Sequence, residues 1–260
     1  MLILLPPSEG KAQAKRGAPV DLATLSVPAL TAARGRVLDA LLDASGGDDA
    51  VEVLGLSPGQ ADEARRNLGL RSAPAAPAGQ VYTGVLYEAL DANGLAAGAR
   101  AWLDETAVVF SGLWGVVRLG DPIPAYRCAI GSTLAAPVGG LTAYWKKVLK
   151  KPLDRAAGGG PVLDLRSGAY AAMWSPGGPE AASVRVLHER IVDGVPRRSI
   201  VSHFNKATKG RIVRALAESG GTPGTIDEVV AALRDLKFTV EEQPAGAGRP
   251  RQLDVVVPEL

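Results

Sequence analysis

Short apolar runs stopped by proline or glycine, interleaved unevenly with helix-period segments, set the strongest limit on how this chain can fold. Leu2 to Leu5 is the first run, halted by Pro6-Pro7, and it reads as a buried strand. Further strands are expected at Ala107 to Ser111, Pro161 to Leu165, Val184 to Val192, Val195 to Phe204, Phe238 to Glu242 and Leu253 to Val257, the last two joined by a Gly/Pro loop. Asp193-Gly194 lies between two of these runs and is the strongest hairpin signal in the chain. Val27 to Ala44 carries Leu30, Val37, Leu38, Leu41 and Leu42 at helical spacing. Ser57-Pro58-Gly59-Gln60 is a capping box with proline at the first helical position, opening a helix towards Leu68. Thr225 to Glu228 is a second box, for a helix to about Leu236. Gly84 to Leu90, Ala96 to Leu103 and Ala169 to Trp174 read as shorter helices, and Ala73 to Gly79 as a Pro/Ala loop.

The two kinds of segment lack the regular alternation of a doubly wound sheet, so a mixed α/β (α+β) fold is expected. A chain of 260 residues with 47% hydrophobic side chains can bury a sizeable core in one domain. The Gly158-Gly159-Gly160 loop is where two lobes could divide, but no long linker separates domains. Net charge is +2, so any nucleic-acid role must come from a local patch. The single cysteine, Cys128, excludes an internal disulfide and suits a reducing compartment. The N-terminal apolar run is too short for a signal peptide, and no run approaches the roughly 20 apolar residues of a membrane helix. A cytoplasmic protein is expected, with no membrane partner.

The cations are placed unevenly. In K-A-T-K-G-R-I-V-R, Lys206 to Arg214, Asn205 can cap a helix whose first turn carries Lys206 and Lys209. Lys206, Arg211 and Arg214 then share one side, opposite Ile212, Val213 and Leu216. Ammonium groups at a helix N-terminus oppose its dipole, a placement that makes sense if an anion such as phosphate docks there. The plain alternative is a solvated helix face. Thr142 to Lys151 is a second basic helix, with Lys146, Lys147, Lys150 and Lys151 on one face and Tyr144, Trp145, Val148 and Leu149 on the other.

Ser8-Glu9-Gly10-Lys11 follows the first strand, where open sheets often bind ligands, but Ala12 stands where a Walker A loop needs Ser or Thr. It reads either as a polar loop with an anion-contacting lysine or as an ordinary solvated loop. Ser111-Gly112-Leu113-Trp114-Gly115-Val116 reads as a backbone approach to a DNA phosphate, as in a helix-hairpin-helix element, or as a tight turn between buried segments. Arg118, Asp121, Tyr126 and Arg127 crowd a loop stiffened by Pro122 and Pro124. They could clamp a phosphate beside a stacking ring, or Asp121 could neutralise one arginine structurally. His188 and His203, expected on the two hairpin strands, have no metal-ligand spacing. No metal or cofactor motif is present, and Cys128, with no sequence-local base, reads as a small buried side chain.

Seven segments in order resemble the bacterial peroxide-stress protein family YaaA. They are L-L-P-P-S-E-G-K at Leu4 to Lys11, Y-T-G at Tyr82 to Gly84, F-S-G-L-W-G-V-V-R at Phe110 to Arg118, D-P-I-P-A-Y-R at Asp121 to Arg127, A-Y-W at Ala143 to Trp145, V-L-D-L-R-S-G-A-Y at Val162 to Tyr170 and S-H-F-N-K-A-T-K-G at Ser202 to Gly210. The resemblance implies a mixed α/β domain with a positively charged cleft, non-specific binding of duplex DNA through a helix-hairpin-helix-like element, and a role in limiting iron-dependent peroxide damage. It implies Lys11, Arg118, Arg127, Lys206 and Lys209 around the cleft, and Arg214 belongs to the same basic helix. Trp114, Tyr126 and Tyr170 are the candidate stacking groups. A different class is an enzyme acting on a small phosphorylated or nucleobase-containing substrate, with Ser8, Glu9, Asp121, Tyr126 and Ser167 suited to acid–base work beside arginines. A closed pocket favours the small ligand and a groove open at both ends favours the duplex.

Overall fold

Leu2–Leu5 forms the first strand, β1, and all four of its residues are buried. The computed structural model describes residues 1–243 and 250–258. After β1 come helices α1 (Thr31–Gly46), α2 (Ala50–Val53) and α3 (Ala61–Asn67). Strand β2 (Ala76–Pro77) and helices α4 (Ala78–Val81), α5 (Val85–Leu90) and α6 (Ala97–Thr106) lead to β3 (Ala107–Ser111), β4 (Gly115–Val117) and β5 (Pro122–Ile123). Helix α7 (Leu141–Ala157), strand β6 (Val162–Asp164) and helix α8 (Gly168–Ala171) precede the β7 (Ala181–Val192) and β8 (Val195–Ser199) hairpin. The chain closes with α9 (Ser202–Ser219), α10 (Ile226–Asp235), β9 (Thr239–Gln243) and β10 (Arg251–Pro258).

Eight strands form one mixed sheet in the order β4-β3-β1-β6-β7-β10-β9, with β8 paired to β7; β2 and β5 pair separately. The strands β3, β1, β6, β7 and β10 run parallel, and the antiparallel β4, β8 and β9 are attached to them. Parallel strands covered on both faces read as continuous apolar runs, which explains L-I-L-L and A-V-V-F-S. Numbered by their own sequence order, the five parallel strands lie 2-1-3-4-5, a doubly wound order. The mixed α/β fold and the irregular alternation read from sequence are both observed, and the strand order is an addition to that reading. Extra short helices and the β7–β8 hairpin break up the alternation along the chain, while the strand order is kept. Gly158–Gly160 joins α7 to β6, which lies in mid-sheet.

Local rules account for some element ends. Asp193 and Gly194 both take positive φ, 53° and 77°, as a two-residue primed turn requires. Thr225 caps α10 by accepting from the Glu228 amide at 3.2 Å. Ala73 to Gly79, expected as a loop, instead contains β2 and the start of α4. Helix α7 runs through Pro152 to Ala157, beyond the Lys151 end read from sequence. The Gly/Pro loop expected between the last two strands falls on residues 244–249, outside the described residues. The largest correction concerns Val195 to Phe204. Its strand stops at Ser199, and α9 begins at Ser202, one turn earlier than an Asn205 cap would allow. His203 is therefore helical, and His188 packs on Phe204 with ring centroids 4.2 Å apart.

Helix α9 crosses α5 so closely that only glycine fits. A Cβ on Gly210 would lie 2.2 Å from the Leu86 carbonyl oxygen and 2.9 Å from the Leu90 nitrogen. Gly210→Ala is expected to cost about 2 kcal/mol by overpacking, more than alanine's helix preference returns. Gly98→Ala in α6, where nothing lies within 4 Å, should be neutral or stabilise by roughly 0.5–1 kcal/mol. Urea denaturation of both variants checks this; equal responses would mean that the α5–α9 crossing is looser than described.

Candidate anion-binding site

The doubly wound order has a consequence for binding. Crevices form where the strand order reverses, at the carboxyl ends of the strands, and here that point lies between β1 and β6. A cavity of about 690 Å³ occupies it, walled by Pro6–Lys11 after β1, by Leu165, Ser167 and Tyr170 after β6, and by Arg127–Gly131. Helix α9 closes it with Ser202, Asn205, Lys206 and Lys209, one face at helical spacing. The lysines thus face the cavity from the second and third turns, and the first-turn placement read from sequence is corrected. A smaller space of about 370 Å³ adjoins it, sharing Glu9, Gly10, Lys11 and Arg127.

The β1 exit loop is pinned from below. Ser8 Oγ accepts from the Thr83 amide at 3.0 Å and donates to the Gly10 carbonyl at 2.5 Å. Lys11 forms an isolated antiparallel bridge with Tyr82, and Gly84 turns the chain into α5 at φ 90°. The Tyr126 hydroxyl shares hydrogen bonds with Tyr82 at 2.9 Å and Ser111 at 2.6 Å. Ser111 Oγ also accepts from the Leu113 and Trp114 amides. Lys11 Nζ sits 4.4 Å from the Tyr126 ring centre and donates to the Ser8 carbonyl at 2.8 Å and the Glu9 carbonyl at 3.2 Å. Burial, and then the neighbouring Arg127, push its amine down to about 8.

Arg127 is held by its backbone, whose amide and carbonyl both bond the side chain of buried Asn67. Its Nε lies 3.4 Å from Glu63, and among the described residues its two Nη groups have no acceptor. Lys206 is exposed at the cavity edge and likewise has no acceptor among them. Lys209 is buried and donates to the Leu165 carbonyl at 3.0 Å; burial lowers its pKa, opposed by Asp164. Tyr170 lines the cavity, and its hydroxyl is pushed up to about 12 by burial. The walls therefore carry Lys11, Arg127, Lys206 and Lys209 against one carboxylate, Glu9, with Leu86, Tyr87, Ile130 and Leu165 as apolar lining.

Other sequence candidates lie elsewhere. Arg118 lines neither cavity; it donates to the Asp104 and Glu105 carbonyls at the end of α6, a capping role. Arg214 likewise serves the end of α5, pairing with Asp91 at 3.0 Å and donating to the Leu90 and Asp91 carbonyls. Asp121 is buried and accepts from Ser26 and from the Arg118 amide. Trp114 is fully buried and offers no ring face to a ligand. Its glycine-flanked segment is the turn of the β3–β4 hairpin, with every residue from Ser111 to Val117 buried, and not a helix-hairpin-helix element. Gly112 instead lets the chain pass the Cys128 carbonyl, 2.5 Å from where a Cβ would be.

Two arginines escaped sequence reading. Fully buried Arg34 donates to the carbonyls of Trp114, Ser26 and Val116, fastening α1 under the β3–β4 turn. Arg166 grips Asp164 through two bonds of 2.9 and 2.6 Å and donates to the Tyr170 and Trp174 carbonyls, so it sets the wall that carries Ser167 and Tyr170. Among the described residues, no three His, Cys, Asp or Glu side chains group as a metal site, and no helix is long and apolar enough to cross a membrane.

Cys128 lines the cavity, but burial pushes its thiol up to about 12, with Lys11 acting weakly the other way. Peroxide attacks thiolates, so the folded protein should keep Cys128 reduced at pH 7 under hydrogen peroxide that oxidises it once unfolded. Peptide mass spectrometry after exposure reads this directly, and rapid sulfenic or sulfinic acid formation in the folded state would contradict it.

The family model for peroxide stress protein YaaA matches residues 1–243. A UPF0246 protein of Streptomyces coelicolor is 53% identical over 266 residues, covering 100% of both chains. UPF0246 proteins of Corynebacterium efficiens and Corynebacterium glutamicum are 42% and 39% identical, covering 99% and 94% of this chain and 100% and 96% of their own. On this full-length match, the chain belongs to the YaaA peroxide stress protein family.

Proposed function

We propose that this protein serves the peroxide-stress role of its family by binding, and acting on, a small anionic ligand that has an apolar or aromatic part. The observation that carries the reading is the ligand-sized cavity at the β1–β6 reversal, lined by Lys206 and by Arg127, whose Nη groups have no acceptor among the described residues. A volume near 690 Å³ falls within the usual range for small-molecule sites. Arg127 and Lys206 would take a phosphate or carboxylate, and Leu86, Tyr87, Ile130 and Tyr170 would bury the remainder. A phosphorylated nucleobase compound fits this description. The buried thiol of Cys128, raised by burial, takes no part.

The second reading is non-specific binding of duplex DNA that limits iron-dependent peroxide damage. It is favoured by the exposed Lys146, Lys147, Lys150 and Lys151 of α7, of which Lys150 already pairs with Asp154 at 2.8 Å. Each such lysine would act by counterion release, without base selectivity.

Calorimetric titration with nucleotides and with duplex DNA separates the two. Arg127→Met and Lys206→Ala are each expected to weaken nucleotide binding roughly tenfold, the loss of one charge-assisted contact. Neutralising Lys146, Lys147 and Lys150 should leave nucleotide binding intact. If instead only duplex DNA binds, and its salt dependence flattens when those three lysines are neutralised, the DNA reading stands and the small-ligand reading falls.

A further inference from the structure

We propose that Lys11 is a reactive amine that captures the carbonyl carbon of a small anionic aldehyde or 2-oxo acid in the cavity as an imine. The inference rests on the small-ligand reading above and names a substrate class for it. Four observations place Lys11 in this role. Lys11 lines both adjoining cavities, so a ligand in either would lie beside this residue. No carboxylate pairs with it among the described residues, although Glu9 belongs to the same loop. Its hydrogen-bond partners are the Ser8 and Glu9 carbonyls, two acceptors that suffice for the two N–H groups of a neutral amine. The charged and titratable groups facing it are Arg127, which favours the neutral amine, and Cys128, Glu9 and Glu63, which act more weakly the other way, with the rings of Tyr126 and Tyr82 beside Nζ. A desolvated lysine beside a second cation is a recognised way of making an amine nucleophilic near neutral pH.

Burial and Arg127 hold the Lys11 pKa at about 8 instead of 10.5. At pH 8 about half of such a group is neutral, against roughly one in 300 for an unperturbed lysine. In the reaction, the Nζ lone pair forms a C–N bond to the carbonyl carbon and the C=O π pair moves to oxygen. A proton passes from nitrogen to that oxygen through solvent, giving a carbinolamine. Loss of one water then leaves the imine, so amine and carbonyl balance against imine and water. Arg127, which lines the same two cavities and whose Nη atoms have no acceptor among the described residues, would hold the anionic group.

The test uses pyridoxal 5′-phosphate as an anionic aldehyde probe, sodium borohydride to reduce the imine to a stable secondary amine, and peptide mapping to locate the label. The expected result is that Lys11 takes up most of the label at pH 8, with labelling half-developed near that pH because the neutral amine forms above it. Lys11→Arg should lose this label while keeping its melting temperature, and Arg127→Met should reduce it about tenfold by loss of the phosphate contact. Label confined to Lys206, Lys209 or the α7 lysines would overturn the proposal, as would Lys11 labelling that develops only towards pH 10.5. Mapping of the unaltered protein decides this even if a variant fails to fold. Pyridoxine 5′-phosphate, which has the phosphate and ring without the aldehyde, separates the two levels of inference. If it binds in calorimetry and Lys11 stays unlabelled, the imine is refuted and the anion site survives. If neither binding nor labelling occurs, the small-ligand reading fails with it.

Discussion

The hydroxyl of Tyr126 joins segments that are far apart in the chain. It bonds Ser111 at the end of β3 and Tyr82 before α5, while its ring lies under Lys11 from the β1 exit loop. Buried hydroxyls must be paired, so this relay admits one relative placement of the three segments. Tyr87, stacked on Tyr82, extends the knot by donating to the Pro6 carbonyl at 2.7 Å. With the loop after β1 held in this way, the cavity at the strand-order reversal has a rigid floor and fixed positions for Lys11 and Arg127.

Charge placement follows from backbone accounting. Arg34, Arg118, Arg166 and Arg214 all donate to main-chain carbonyls at helix ends or turns that would otherwise go unsatisfied. Their charges are used up within the fold. Arg127 differs: buried Asn67 bonds its backbone, and its Nη groups have no acceptor among the described residues.

Much of the architecture was legible in local chemistry. The Asp193-Gly194 turn and the Thr225 cap each rest on interactions within a few residues, and the buried strands show as short apolar runs. The start of α9 was misread because Asn205 is a good cap in isolation. In the fold, His188 and Phe204 pack together and the helix begins at Ser202. The doubly wound order was hidden because strand order is a property of pairing, which the spacing of segments does not encode. For the site, Lys11, Arg127, Lys206, Lys209, Ser8 and Tyr170 were found in sequence and line the cavity, whereas Arg118, Arg214, Asp121 and Trp114 do not.

The sequence by itself determined most of the longer strands, the Thr225 cap of α10, and that the cations cluster in a few loops and two helices. Those properties depend on backbone propensity and on side chains a few residues apart. The tertiary structure alone decided that β1 and β6 lie side by side, that Gly210 lets α9 press against α5, and which cations meet in one cavity. It did so because desolvation and carbonyl satisfaction act between residues that are distant in sequence and adjacent in space.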